Sequence, residues 1–105
     1  MSWYWMQKSD CNMYLQIEKR GKLCIKIEIE DKKNASAIRN KWHKDLMKQC
    51  KLLGYSEVYK PQRFGLGKWI TIGCIDSQNY IGSDMFNRDK VLNNLRKYEN
   101  LIDNL

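Results

Sequence analysis

A chain of 105 residues with 43% hydrophobic, 30% charged and 11% aromatic content is long enough for one hydrophobic core and too short for two. Two-domain enzymes are excluded, and the apolar content excludes a disordered tail. Nineteen basic against twelve acidic residues give a net charge of +7, and the excess is local. Residues 1–31 hold five charges of each sign, residues 32–68 hold ten basic and two acidic, and residues 69–105 hold four basic and five acidic. A basic excess confined to one stretch builds a field that attracts polyanions, so residues 32–68 are the first place to look for function.

The aromatic run Trp3-Tyr4-Trp5-Met6 has the propensity of a strand that pairs within a sheet. Met1-Ser2 leads into these aromatics and not into a basic stretch followed by an apolar run, so no signal peptide is expected. The segments 13–18 and 23–30 alternate apolar and polar residues around Lys19-Arg20-Gly21, which predicts a β-hairpin. Its apolar face holds Met13, Leu15, Ile17, Leu23, Ile25, Ile27 and Ile29. From Ala35 to Leu53 the period changes: Ala35, Ile38, Trp42, Leu46, Gln49 and Leu53 fall within an arc of about 80° at helical spacing. Asp31 or Asn34 suits the start of that helix, and Gly54 suits a left-handed residue at its end.

Val58-Tyr59 is a candidate short strand, and residues 60–68, with the only proline, form a loop by composition. Residues 69–75 read as a buried strand, residues 76–79 as a turn, and Val91, Leu95, Tyr98, Ile102 and Leu105 recur at the spacing of a second helix from about residue 88. The predicted fold is α+β, a single domain in the order β-ββ-α-(β)-β-α. One antiparallel or mixed sheet of about four to five strands has one face covered by two helices.

Cys11, Cys24, Cys50 and Cys74 include no C-x-x-C pair, and His43 is the only histidine, so neither a metal site nor a cofactor is expected. The cysteines read as reduced, mostly buried thiols of a cytosolic protein. No apolar run reaches the roughly 20 residues of a spanning helix, so no membrane partner is expected.

Two constellations lie in the basic stretch. Lys41, Lys44, Lys48 and Lys51 fall at i, i+3, i+7 and i+10 on the helix face opposite Trp42, and Lys33 joins them if the helix starts early. A helix face built only for solvation usually mixes in glutamates, and here Asp45 is the one acid. The stripe suits phosphates; it is also what a solvated face of a lysine-rich protein looks like. The second constellation is the loop, where Lys60, Arg63 and Lys68 accompany Tyr59, Phe64 and Trp69 around Gly65 and Gly67. Cations neutralise phosphates and aromatic rings stack on bases, while the competing reading tucks the rings into the core. Trp3, Tyr4 and Trp5 suit a core or docking role, or an extension of an aromatic platform.

A nuclease centre is a further alternative. Glu30-Asp31-Lys32 has acid-x-Lys spacing, and a hairpin centred near Arg20 sets Asp10 roughly opposite Glu30, so two carboxylates and a lysine could hold a divalent ion. Two acid-x-Lys pairs occur where composition alone gives about 1.6, so the count by itself is uninformative. His43 has no evident partner and reads as a structural residue.

The runs 14–18, 22–32, 39–43 and 60–68 resemble the C-terminal region of bacterial PD-(D/E)XK-superfamily nuclease-like proteins. That superfamily's signature is an acid followed by acid-x-Lys on a neighbouring strand. Only Asp10, Glu30 and Lys32 fit it, and no Pro-Asp precedes them. The resemblance therefore implies a part without the catalytic centre and favours binding over cleavage. The expected partner is nucleic acid, DNA or RNA, bound through the lysine stripe and the loop. The alternatives are a small phage-type inhibitor that sets the same basic face against an acidic protein surface or a defence nuclease, and a metal-dependent nuclease.

Overall fold

The computed structural model describes residues 2–81 and 88–105. Alternation in the first third of the chain produces three antiparallel strands, β1 (Ser2–Gln7), β2 (Asn12–Ile17) and β3 (Leu23–Glu28). A fourth, β4 (Trp69–Ile75), joins β3 antiparallel, giving the order β1-β2-β3-β4. The hairpin is centred as the alternation predicts: Met13 pairs with Ile27, Leu15 with Ile25 and Ile17 with Leu23. Those residues point to the same side, and all but half-buried Ile17 are buried, as is Ile29 just beyond β3.

Two helices lie on that side. Helix α1 (Ala35–Leu53) packs on β4, and α2 (Arg88–Asp103) on β1 and β2. The start of α1 is prepared by a 3-10 turn, Lys32–Asn34, in which Asp31 Oδ1 accepts from the backbone of Lys33 (3.2 Å). Asn34 occupies the N-cap position without a capping side-chain bond. Its end is set by Gly54 at φ 74°, a left-handed conformation that glycine adopts without Cβ strain. Ala35, Ile38, Trp42, Leu46 and Cys50 of α1 and Tyr98, Leu101 and Ile102 of α2 are buried in one cluster with the inward residues of β2, β3 and β4. The segment 58–59 forms no strand: Tyr59 makes a single antiparallel bridge to Cys74.

Two irregularities shape the sheet. In β4 the register slips so that Ile25 pairs with Gly73 and Lys26 with Thr71, leaving Ile72 as the extra residue of a bulge. The Ile72 carbonyl is taken up by α1, where His43 Nδ1 lies 2.7 Å away and donates its proton. Next to it, a Cβ on Gly73 would stand 2.6 Å from Leu46 Cδ2, so the absent side chain lets α1 approach the strand. The other bulge is in β1. Trp3 pairs with Leu15 and Trp5 with Tyr14, and the inserted Tyr4 has φ 57°. Trp3 and Tyr4 both reach α2, Trp3 Nε1 donating to Glu99 (3.2 Å) and the Tyr4 hydroxyl to Asp103 (2.6 Å). Trp5 is thereby turned onto the face of the sheet opposite α1 and α2.

Candidate nucleic-acid interface

On α1 the residues that core packing leaves outward include Lys41, Lys44, Lys48 and Lys51, all exposed and opposite the buried Ile38, Trp42 and Leu46. Lys33, in the turn before the helix, is exposed as well. Lys41 lies 3.5 Å from Asp10 and its ammonium sits 4.6 Å from the Trp42 ring centre. Among the described residues, Lys33, Lys44, Lys48 and Lys51 enter no ion pair.

The loop is docked on α1 through one aromatic ring. Phe64 is half-buried with the Arg39 guanidinium 4.3 Å and the Lys60 ammonium 4.7 Å from its ring centre, and the ring of His43 meets it at 5.0 Å in an edge arrangement. Arg39 also donates from Nη1 to the carbonyls of Phe64 and Gly65, both at 3.2 Å. Phe64 thus gathers Arg39 and Lys60 beside the helix, a role between the stacking and core readings of this ring. Arg63 is exposed near this contact in sequence, and Lys68 lies beyond it with its ammonium 5.0 Å from the ring centre of Trp69.

Trp69 belongs to another surface. It is 58% exposed, its indole donates to Glu28 Oε2 (3.1 Å), and it shares a shallow depression on the face opposite the two helices with Trp5, Tyr14, Gln16 and Lys26. Trp5 is 50% exposed and stacks on Tyr14, ring centres 4.0 Å apart at 13°. Burial and the nearby carboxylates Glu28 and Glu18 push the Tyr14 hydroxyl up to about 12. Because β4 is an edge strand with α1 on its inner face, the loop leads from the lysine-bearing helix around the sheet edge to Trp69.

The exposed lysines share the face that helical spacing gives them, whereas Arg39 lies off that stripe and Tyr14 lies outside the basic stretch. The bulge that presents Trp5 has no glycine to signal it.

The acidic residues near the end of the hairpin line a cleft of about 320 Å³ that includes Lys8, Asp10, Glu28, Glu30 and Asp31. Three of these carboxylates have internal partners. Asp10 accepts from Trp42 Nε1 (2.7 Å) and lies beside Lys41. Glu28 accepts from Asn12 and Trp69, and Asp31 from the Lys33 backbone and Asn34 Nδ2. Among the described residues, no group of three or more His, Cys, Asp or Glu side chains is arranged to hold a metal ion. Nor, among them, is any helix long and apolar enough to cross a membrane.

No family model matches the chain, and no curated protein or solved structure matches it. What the fold itself defines is a two-layer α+β domain with a four-stranded antiparallel sheet.

Proposed function

We propose that this protein is a small basic nucleic-acid-binding module that holds phosphates on the outer face of α1 and acts by binding, not catalysis. The observation that carries the reading is that Lys44, Lys48 and Lys51 stand exposed on successive turns of one helix face and, among the described residues, meet no carboxylate. Neighbouring like charges on a helix cost a few tenths of a kcal/mol per pair, and a polyanion relieves that repulsion. Arg39, Lys60 and Arg63 extend the basic surface along the loop, and Trp69 offers an exposed ring where the loop ends. Phosphate contacts dominate, so sequence specificity is low, and stacking on Trp69 favours strands with unpaired bases.

The test is fluorescence anisotropy with random single- and double-stranded DNA and RNA over a salt series. Four phosphate contacts give a log–log salt slope of about −3.6 on duplex DNA, and replacing Lys41, Lys44, Lys48 and Lys51 together with Gln should abolish that slope. Trp69→Ala should weaken single-strand binding by about 1–3 kcal/mol and leave duplex binding nearly unchanged. Binding that ignores salt, or that survives the fourfold substitution intact, would sink the reading.

A further inference from the structure

All four cysteines are free and buried, but they are not equivalent. Cys11 and Cys50 belong to the core cluster under the helices, whereas Cys24 and Cys74 are buried outside it. They alternate with core-facing Leu23, Ile25 and Ile75, so they lie on the side of the sheet opposite α1 and α2. Cys24 pairs directly with Cys74 across β3 and β4. The backbone of Cys74 settles which kind of pair this is. Its N–H donates to the Tyr59 carbonyl (2.8 Å) and its carbonyl accepts from the Tyr59 N–H (3.0 Å), so both groups point away from β3. Cys24 and Cys74 therefore occupy a non-hydrogen-bonded site, where Cα atoms of antiparallel strands stand about 4.5 Å apart. That distance lies within the range a disulfide spans, about 4.4–6.8 Å, and no backbone hydrogen bond has to break to form one.

We propose that Cys24 and Cys74 are a redox modification site, closing to a cross-strand disulfide in response to a hydroperoxide. The neighbouring Cys24 thiol, with Lys22 nearby, lowers the pKa of Cys74. Cys74 is thus the attacking sulfur. Its thiolate attacks one peroxide oxygen, the O–O bond breaks, and the departing hydroxide takes up the proton the thiol released, leaving a sulfenic acid. Cys24 then attacks the Cys74 sulfur, the S–O bond breaks, and the oxygen leaves as water with the Cys24 proton. Two thiols are oxidised to one disulfide and hydrogen peroxide is reduced to two waters. A small oxidant suits the site, since Cys24 and Cys74 are only 2% and 3% exposed. Part of what surrounds Cys24 is the Glu18–Lys26 ion pair, side chains that reorient without moving a strand. By contrast, burial pushes the thiols of Cys11 up to about 12 and of Cys50 up to about 11, and neither is paired across strands with another cysteine.

The experiment treats the folded wild-type protein with hydrogen peroxide, followed by intact mass, alkylation under denaturing conditions and peptide mapping. The expected product is about 2 Da lighter, contains one Cys24–Cys74 linkage, keeps Cys11 and Cys50 alkylatable, and reverts with dithiothreitol. In Cys24→Ala the Cys74 sulfenic acid should persist and be trapped by dimedone. No mass loss, a linkage that involves Cys11 or Cys50, or oxidation of wild type that only adds oxygen atoms overturns the proposal.

Discussion

The two helices bury similar apolar stripes against one sheet and treat their charges in opposite ways. Helix α1 carries five basic residues and one acid, and its outward lysines other than Lys41 have no carboxylate partner among the described residues. Helix α2 carries four basic and three acidic residues, and several of them tie the fold together. Lys97 bonds Glu57 at 2.8 Å, the Tyr98 hydroxyl donates to the same carboxylate at 3.1 Å, and Glu99 and Asp103 accept from β1. Lys97, Glu99 and Asp103 of α2 thus have internal roles, whereas Lys44, Lys48 and Lys51 of α1 enter no ion pair among the described residues. Substitutions should separate the two kinds.

The largest effect belongs to neither set of charges but to the ring that seats α1. Trp42 is 5% exposed and also binds Asp10, so Trp42→Ala should lower stability by about 3–5 kcal/mol in urea unfolding. Gly73→Ala comes next at about 1–3 kcal/mol, because the new methyl must displace the Leu46 side chain, which packs on the strand at this point. Glu57→Gln should cost about 1–2 kcal/mol by weakening two bonds to α2.

The same carboxylate gives a pH signature. Burial raises the Glu57 pKa, but Lys97, a bond from the residue's own backbone N–H and the Tyr98 hydroxyl together outweigh it and leave the group below its ordinary value. Glu18 is lowered chiefly by its bond from Lys26. A depressed carboxyl contributes stability that is present above its unfolded pKa of about 4.3 and lost as pH falls through the folded value. Urea midpoints should therefore fall below about pH 4.5, and less steeply in Glu57→Gln. The smallest effect is the sharpest comparison. Lys48→Gln on α1 should change stability by no more than a few tenths of a kcal/mol, while Lys97→Gln on α2 should be measurably destabilising. Equal losses for the two lysines would erase the distinction drawn between the helices.

Local rules made most of the framework legible. Strict alternation set the hairpin and its centre, and the 3.6-residue period together with Gly54 set α1. Illegible features depend on distant partners. The bulge at Ile72 is accommodated by His43, and Gly73 is required by Leu46, so neither shows in the run 69–75. Leu101 is buried although it lies off the stripe read for α2, because α2 meets both β1 and β2. In the candidate interface, the lysine face follows from spacing alone. The surroundings of Phe64 do not, since Arg39 and His43 reach it from α1.

The contacts that hold β1 to α2 join residues 96 to 99 positions apart, Trp3 with Glu99 and Tyr4 with Asp103, and Lys8 Nζ reaches the Leu105 carbonyl across 97 positions. Such pairs cannot form until residues 99–105 have been made. During synthesis the hairpin can form early from neighbours in sequence, but β1 has no polar anchor for its two inward-turned aromatics until α2 has been made. Over that interval an aromatic strand lies at the edge of the sheet, a template for pairing with another chain. The left-handed turn at Tyr4 limits that hazard, because it breaks the flat run of backbone another strand would need.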